Sequence, residues 1–198
     1  MFITLEGLDG CGKTTVAKAL VAKLEAEGKE VILTREPGGA PVSEQIRAIL
    51  LDNHNTSMTP ETEALLYAAS RAQHWEETIS PALNEGKIVI SDRWLGSSLA
   101  YQGWARGLGL GQVTAINDFG IRGVRPDLQV FIDTPAEVRA QRKAALGEEA
   151  DRLENNDQFF FQMVEDYYNW ELEQTDYTMK VDGTLTVDEI VDIILARM

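Results

Sequence analysis

Short apolar runs alternate with longer amphipathic stretches along the whole of this chain. Phe2–Glu6, Glu30–Thr34, Lys87–Ser91, Leu128–Asp133 and Tyr177–Val181 are short, apolar or β-branched, and bounded by polar or Gly/Pro residues, so each predicts a strand. Apolar residues at helical spacing after residue 14, and over about 43–51, 61–84, 111–121, 135–145, 155–174 and 186–197, predict helices between them. Thr59-Pro60-Glu61 and Thr134-Pro135 both read as an N-cap followed by Pro at the first helical position. Strands spaced by helices imply an α/β fold, a five-stranded parallel sheet with helices on both faces. No repeat, low-complexity segment or linker interrupts the pattern, so residues 1–198 read as one domain. In such sheets ligands bind beyond the carboxyl ends of the strands.

The first strand leads into Gly7-Leu8-Asp9-Gly10-Cys11-Gly12-Lys13-Thr14, a complete G-x-x-x-x-G-K-[ST] loop followed by Thr15 and a helix. Strand, Gly-rich turn and helix N-terminus in this order make a phosphate-binding loop. Its glycines let successive N–H groups curl around an anion at the positive end of the helix dipole. Lys13 is expected to reach the β- and γ-phosphates of a nucleoside triphosphate, and the Thr14 hydroxyl to hold Mg²⁺.

Charge sharpens the picture. The chain carries 18 basic and 32 acidic residues, a net charge of −14, which disfavours nucleic acid and anionic membranes as partners. An anionic substrate then requires the cations to gather at one place. They do so after the strands: Arg35 after the second, Arg93 after the third, and Arg139, Arg142 and Lys143 after the fourth. No apolar run approaches the ~20 residues of a membrane span, and no secretory signal is visible ahead of the first strand. The single cysteine, Cys11, cannot pair internally. A cytoplasmic protein is expected.

Other candidates follow from residue type and position. Asp92, ending the third strand, can orient the water shell of the metal held by Thr14, and Arg93 can clamp phosphate oxygens; a structural Asp–Arg pair is the alternative. Arg35-Glu36-Pro37-Gly38-Gly39 combines an arginine with a rigid turn suited to the acceptor's phosphate, or is a plain surface turn. Tyr67 and Arg71, four apart on one helical face, could stack on and hydrogen-bond a base, whereas His74 and Trp75 read as packing. Ser97 to Gly103 offers Tyr101 and Gln102, with Gly103 as a helix end. Asp9 suits sugar hydroxyls, or Mg²⁺ through water. Residues 142–153 read as a lid that keeps water from the phosphoryl group, or as a solvated helix end.

Taken together, Leu5-Glu6-Gly7 through Thr15, Thr34 to Gly39, Tyr67 with Arg71, Asp92-Arg93-Trp94, Ser97 to Gly103 and Asp151 to Glu154 resemble the motifs of thymidylate kinases, in that family's order. The resemblance implies the P-loop kinase fold with a small lid, and phosphoryl transfer from Mg-ATP to dTMP, giving dTDP. It implies that Asp9 contacts the deoxyribose 3′-hydroxyl and that Arg35 and Arg93 take the dTMP phosphate beside Pro37 and Ser97. Tyr67 would stack on thymine, Arg71 would bond its O4, and Gln102 would help read it. Tyr101, with Tyr168 assisting, would lie against the sugar. Arg142 would lie near adenine and Arg152 near the transferred phosphoryl group in the closed lid. Many such kinases are homodimers, packed through helices near 61–84 and 95–121.

Some positions depart from the family's pattern. Gly10 stands where one subgroup carries an arginine, which points to a cation supplied by the lid. Yet Leu146 occupies the place before glycine where relatives often have arginine, leaving Arg152, Arg142 or Lys143 for that role. Tyr67 replaces the more usual phenylalanine. Two alternatives remain at this point: a kinase of the same fold for another nucleotide or nucleoside, and a regulatory P-loop ATPase.

Overall fold

The computed structural model describes residues 1–147 and 150–198, and the backbone alone of Leu146. Strands β1 (Phe2–Glu6), β2 (Val31–Arg35), β3 (Ile88–Asp92), β4 (Leu128–Asp133) and β5 (Thr178–Asp182) form one sheet in the order β2-β3-β1-β4-β5. Every neighbouring pair is parallel. The central strands are buried along their length, which is why they read as apolar runs rather than as alternating ones. Edge strand β2 is the more polar and exposed.

Around the sheet lie α1 (Lys13–Ala26), α2 (Pro41–Leu51), α3 (Pro60–His74), α4 (Ser80–Asn84), α5 (Leu95–Ser98), α6 (Leu110–Ile121), α7 (Ala136–Leu146), α8 (Gln158–Glu171) and α9 (Val187–Arg197). Leu20 and Leu24 of α1 and Ile190 and Ile194 of α9 pack on Ile3, Leu5, Ile90 and Val130 of the sheet. A second cluster joins Phe2, Val89 and Trp94 to Trp75, Ile79 and Ile121. A third, with Leu8, Tyr101, Phe131, Phe160, Val164 and Tyr168, underlies the phosphate loop.

The predicted strands are all present, three of them shifted one residue toward the C-terminus. The single helix expected over 61–84 runs through a π-helical turn, Trp75–Ile79, between α3 and α4. Pro81 accounts for it, since in a regular helix its ring would press on the carbonyl four residues back. Gly103 is not a helix end: a second π-helical turn, Leu99–Ala105, carries the chain past it. A side chain there would press on Leu110, 3.1 Å from an ideal Cβ. Thr59 caps α3 as expected, accepting from the Thr62 N–H. Thr134 does not cap α7; its hydroxyl turns to the Cys11 carbonyl (3.4 Å) and fastens the phosphate loop instead.

Against β4, Glu171 is buried and accepts from Tyr167 Oη (2.9 Å) and Gln129 Nε2 (2.6 Å). Burial pushes its carboxyl up to about 7 from an ordinary 4.5. Between these values the folded chain binds more protons than the unfolded one, so this group's stability contribution is complete below 4.5 and lost as pH rises through 7. Glu171→Gln is expected to flatten the pH dependence of urea stability in that window, by at most about 1.4 kcal/mol per pH unit. An unchanged slope would refute the assignment.

Candidate active site

The site is built where β1, β2 and β3 end level. Parallel pairing sets Leu5 opposite Asp92 and Arg35 opposite the same residue, so the phosphate loop emerges beside the end of β3. Gly7 opens the loop at φ +141°, where a Cβ would stand 2.8 Å from the Ile132 carbonyl. Leu8 and Cys11 point into the core and anchor the loop from below. Lys13 Nζ donates to the Gly7 and Leu8 carbonyls (2.9 and 3.1 Å), which holds its charge over the loop. Thr14 Oγ1 donates to Asp92 Oδ2 at 2.6 Å, joining α1 to β3 through two hard oxygen donors.

Immediately after Asp92 the backbone of Arg93 turns left-handed, at φ 72°. Such a bend needs support. Arg93 N–H donates to Leu5 O (2.9 Å), Ser91 Oγ donates to Arg93 O (2.7 Å), and Trp94 N–H donates to Glu6 Oε1 (2.9 Å). The guanidinium is clamped from both sides, Nη2 on Asp9 Oδ1 (2.6 Å) and Nη1 on Ser97 Oγ (3.1 Å), and lies over the Tyr101 ring. Glu6, wholly buried, takes the Ser97 hydroxyl (2.5 Å) and the Tyr168 hydroxyl (3.0 Å). Burial raises the Glu6 carboxyl above its usual range, against these donors and Arg93. Burial pulls Asp9 the same way, but Arg93 and Lys13 outweigh it and hold Asp9 well below the usual carboxylate range. Tyr101 and Tyr168 are raised by burial and stay neutral.

Farther along the cleft lie Tyr67, Arg71 and Gln102. Arg71 is almost fully buried, with Nε on Glu36 Oε2 (2.7 Å), Nη1 on Ser98 Oγ (2.9 Å) and Asn117 Oδ1, and Nη2 on the Trp94 carbonyl (3.0 Å). A guanidinium has five N–H groups, so one remains on Nη2. His74 holds the other Glu36 oxygen (3.0 Å), which gives it a positioning task rather than packing alone. Arg35 forms a two-pronged pair with Glu44 (2.8 and 3.1 Å) at the mouth, beside Pro37.

These residues line a continuous cleft of about 750 Å³. Asp9, Gly10, Gly12, Thr14, Thr15, Ser97 and Asp92 line it with Lys13, Arg35, Pro37, Tyr67, Arg71, Arg93, Tyr101, Gln102 and Arg142. Five of the expected residues do not. Gly7, Leu8 and Cys11 serve as scaffold, and Tyr168 is buried on Glu6. Arg152 turns away from the phosphate loop, Nη1 pairing with Glu63 Oε2 (2.7 Å) and Nε bonding the Leu50 carbonyl (2.8 Å). The cations of the predicted lid that do line the cleft are Arg142, bonded to the Cys11 and Gly183 carbonyls (3.1 and 2.9 Å), and Lys143, paired with Glu154 (2.9 Å). Arg139 is drawn off by Glu165 (2.5 Å). Of the predicted lid, residues 148 and 149 and the side chain of Leu146 lie outside the described residues. Gly10, at φ +83°, packs under α7: a Cβ would be 2.7 Å from the Arg139 carbonyl and 3.0 Å from Lys143 Cγ, so no arginine fits there with α7 in place.

The model of the thymidylate kinase family matches residues 5–194. The chain belongs to the thymidylate kinase family. It is 49% identical to the thymidylate kinase of Finegoldia magna over 96% of this chain and 93% of that one. Against the thymidylate kinase of Bacillus pumilus it is 48% identical over 85% of this chain and 80% of that one. The crystal structure of thymidylate kinase from Ehrlichia chaffeensis superposes with a TM-score of 0.79 at 30% identity, covering 98% of both chains. As a member of the thymidylate kinase family the chain is an ATP:dTMP phosphotransferase.

Sequence reasoning missed Lys18, Arg47, Glu36 and Ser98 in the cleft wall. Arg47 Nη1 donates to the Pro37 carbonyl (2.8 Å), shared with Arg35 (3.3 Å); its three-residue spacing from Glu44 on α2 was the one available signal. For this thymidylate kinase the cleft lining sets Lys143 ahead of Arg152 among the cations of the predicted lid. Lys143→Ala is expected to lower kcat about tenfold or more, and further than Arg152→Ala does; the reverse order in a steady-state assay would return the role to Arg152.

Proposed function

We propose that ATP and dTMP meet end to end in this cleft, the triphosphate on the phosphate loop and the thymine between Tyr67, Arg71 and Gln102. The observation that carries this reading is the clamp on Arg93, which stands between the Thr14–Asp92 pair and the Tyr101 ring. A guanidinium there is pre-set for the acceptor phosphate, with Arg35 on its other side. Asp9 is positioned for the 3′-hydroxyl and Tyr101 for the face of the sugar that lacks a 2′-hydroxyl. Arg142, against the loop and Gly183, is near the adenine end. Lys13 and Lys143 neutralise charge on the transferred group.

Thr14 Oγ1 and Asp92 Oδ2 fit Mg²⁺, which favours a hydroxyl and one or two carboxylates completed by substrate phosphates and water. Among the described residues there is no cluster of three or more His, Cys, Asp or Glu side chains that could hold a metal by itself, in keeping with a metal that arrives with ATP. Once bound, the ion would draw charge from the phosphate oxygens. The protein's own part is positioning: it aligns the acceptor oxygen with the γ-phosphorus, shields the transfer with its lid and needs no general base.

Residues 1–198 act as one domain with a lid near 142–153. Phe119 of α6, 92% exposed, and Leu65 of α3, 56% exposed, support a homodimer through these neighbouring helices. Among the described residues no helix is long and apolar enough to cross a membrane; the single cysteine supports a cytoplasmic enzyme, and the net charge of −14 one without nucleic-acid partners.

ADP release with Mg-ATP and each of dTMP, dUMP, dCMP, dGMP, AMP and thymidine tests this reading. Strong preference for dTMP is expected, and release indifferent to the acceptor would favour a regulatory ATPase. Arg71→Ala is expected to raise the KM for dTMP at least tenfold and spare that for ATP; equal losses for both would refute the base-reading role.

A further inference from the structure

Glu63, in the first turn of α3, is almost fully buried and does not line the cleft, yet three side chains converge on it. Gln102 Nε2 donates to Oε1 (2.9 Å), Arg106 donates to both oxygens (3.3 Å each), and Arg152 Nη1 pairs with Oε2 (2.7 Å). A carboxylate between two guanidinium groups has no proton to give. The amide nitrogen is therefore the only end that Gln102 can turn toward it. The other end, Oε1, has no protein partner among the described residues, and Gln102 lines the cleft.

We propose that Glu63 is a positioning residue for base selection: it fixes the Gln102 amide with its carbonyl oxygen toward the acceptor's base. The inference rests on the reading of Gln102 and Arg71 as base contacts and deepens it. Arg71 brings one N–H not taken by the protein, so Arg71 and Gln102, both in the cleft wall, offer a donor and an acceptor. Thymine and uracil present the complement, a carbonyl beside a ring N–H. Cytosine presents an amino group beside a bare ring nitrogen and opposes both. Buried polar groups that lose their partners discriminate strongly, whereas a shape difference of this size does not.

The same geometry says what neutralising Glu63 does. Glu63→Gln leaves one oxygen. The Oε2 side faces Arg152 Nη1 at 2.7 Å together with Arg106 Nη2, against Arg106 Nε alone at 3.3 Å on the Oε1 side, and the closer and larger set of charged donors draws that oxygen to it. The new NH₂ then meets Gln102, which turns its own carbonyl inward and shows NH₂ to the base.

The test compares kcat/KM for dTMP and dCMP in the wild type, Glu63→Gln, Gln102→Leu and the double variant. Expected in Glu63→Gln is a fall of tenfold or more in the dTMP-to-dCMP ratio, through a higher KM for dTMP with the KM for ATP unchanged. Gln102→Leu is expected to lose the ratio to a similar extent, and the double variant no more than either. A ratio unchanged in Glu63→Gln, both acceptors losing alike, would mean a purely structural role and overturn the proposal. Should Glu63→Gln fail to fold, NMR of the wild type decides. The Gln102 side-chain NH₂ signals, assigned by their loss in Gln102→Leu, are expected to show one proton deshielded by the carboxylate with and without dTMP. Protection of that NH₂ only when dTMP is added would overturn the proposal. Equal use of dTMP and dCMP by the wild type would instead sink the substrate reading itself.

Discussion

The parallel pairing of β1 with β3 is the constraint on which the site depends. It sets Leu5 opposite Asp92, so the phosphate loop leaves one strand end as the Asp92-Arg93 bend leaves the other. From that register follow two short contacts, Thr14 with Asp92 and Asp9 with Arg93, both at 2.6 Å. In the proposed reading the first faces the donor's phosphates and the second the acceptor's. A slip of one residue in this pairing would turn every side chain of the strand to the opposite face of the sheet and separate both pairs.

A second layer of buried acids holds side chains of the cleft wall. Glu6 anchors Trp94 N–H and Ser97 and so steadies Arg93; Glu36 grips Arg71 and His74; Glu63 gathers Gln102, Arg106 and Arg152. An unpaired buried charge is costly, so each acid comes with its partners in place. The arrangement explains how a chain of net charge −14 presents a cationic cleft to two anionic nucleotides. Buried acids are taken up in holding side chains, and in the cleft wall itself, among the described residues, eight cations, Lys13, Arg47, Arg93 and Lys143 included, outnumber the five acids.

Much of this was legible in the sequence because it is local. The five strands, the phosphate loop, Asp92-Arg93, and Tyr67 with Arg71 each sit within a few residues of a turn or one helical face. What escaped the sequence is long-range. Glu36 with Arg71, Glu63 with Arg152 and Glu6 with Tyr168 are separated by 35 or more positions, and no spacing rule links them. Arg152 illustrates the limit. Its motif suggested the transferred phosphate, whereas here its guanidinium pairs with the buried Glu63 carboxylate. Gly103 misled in the same way, because a wider helical turn lets the chain pass a residue that usually ends a helix.

The most direct test of the β1–β3 junction is the Mg²⁺ dependence of dTMP phosphorylation in Asp92→Asn. If Asp92 and Thr14 hold the donor side apart from the acceptor side, half-maximal turnover should need at least about tenfold more Mg²⁺, with the KM for dTMP little changed. An unaltered Mg²⁺ requirement, with the loss appearing in dTMP binding instead, would contradict the division of labour between the two strand ends.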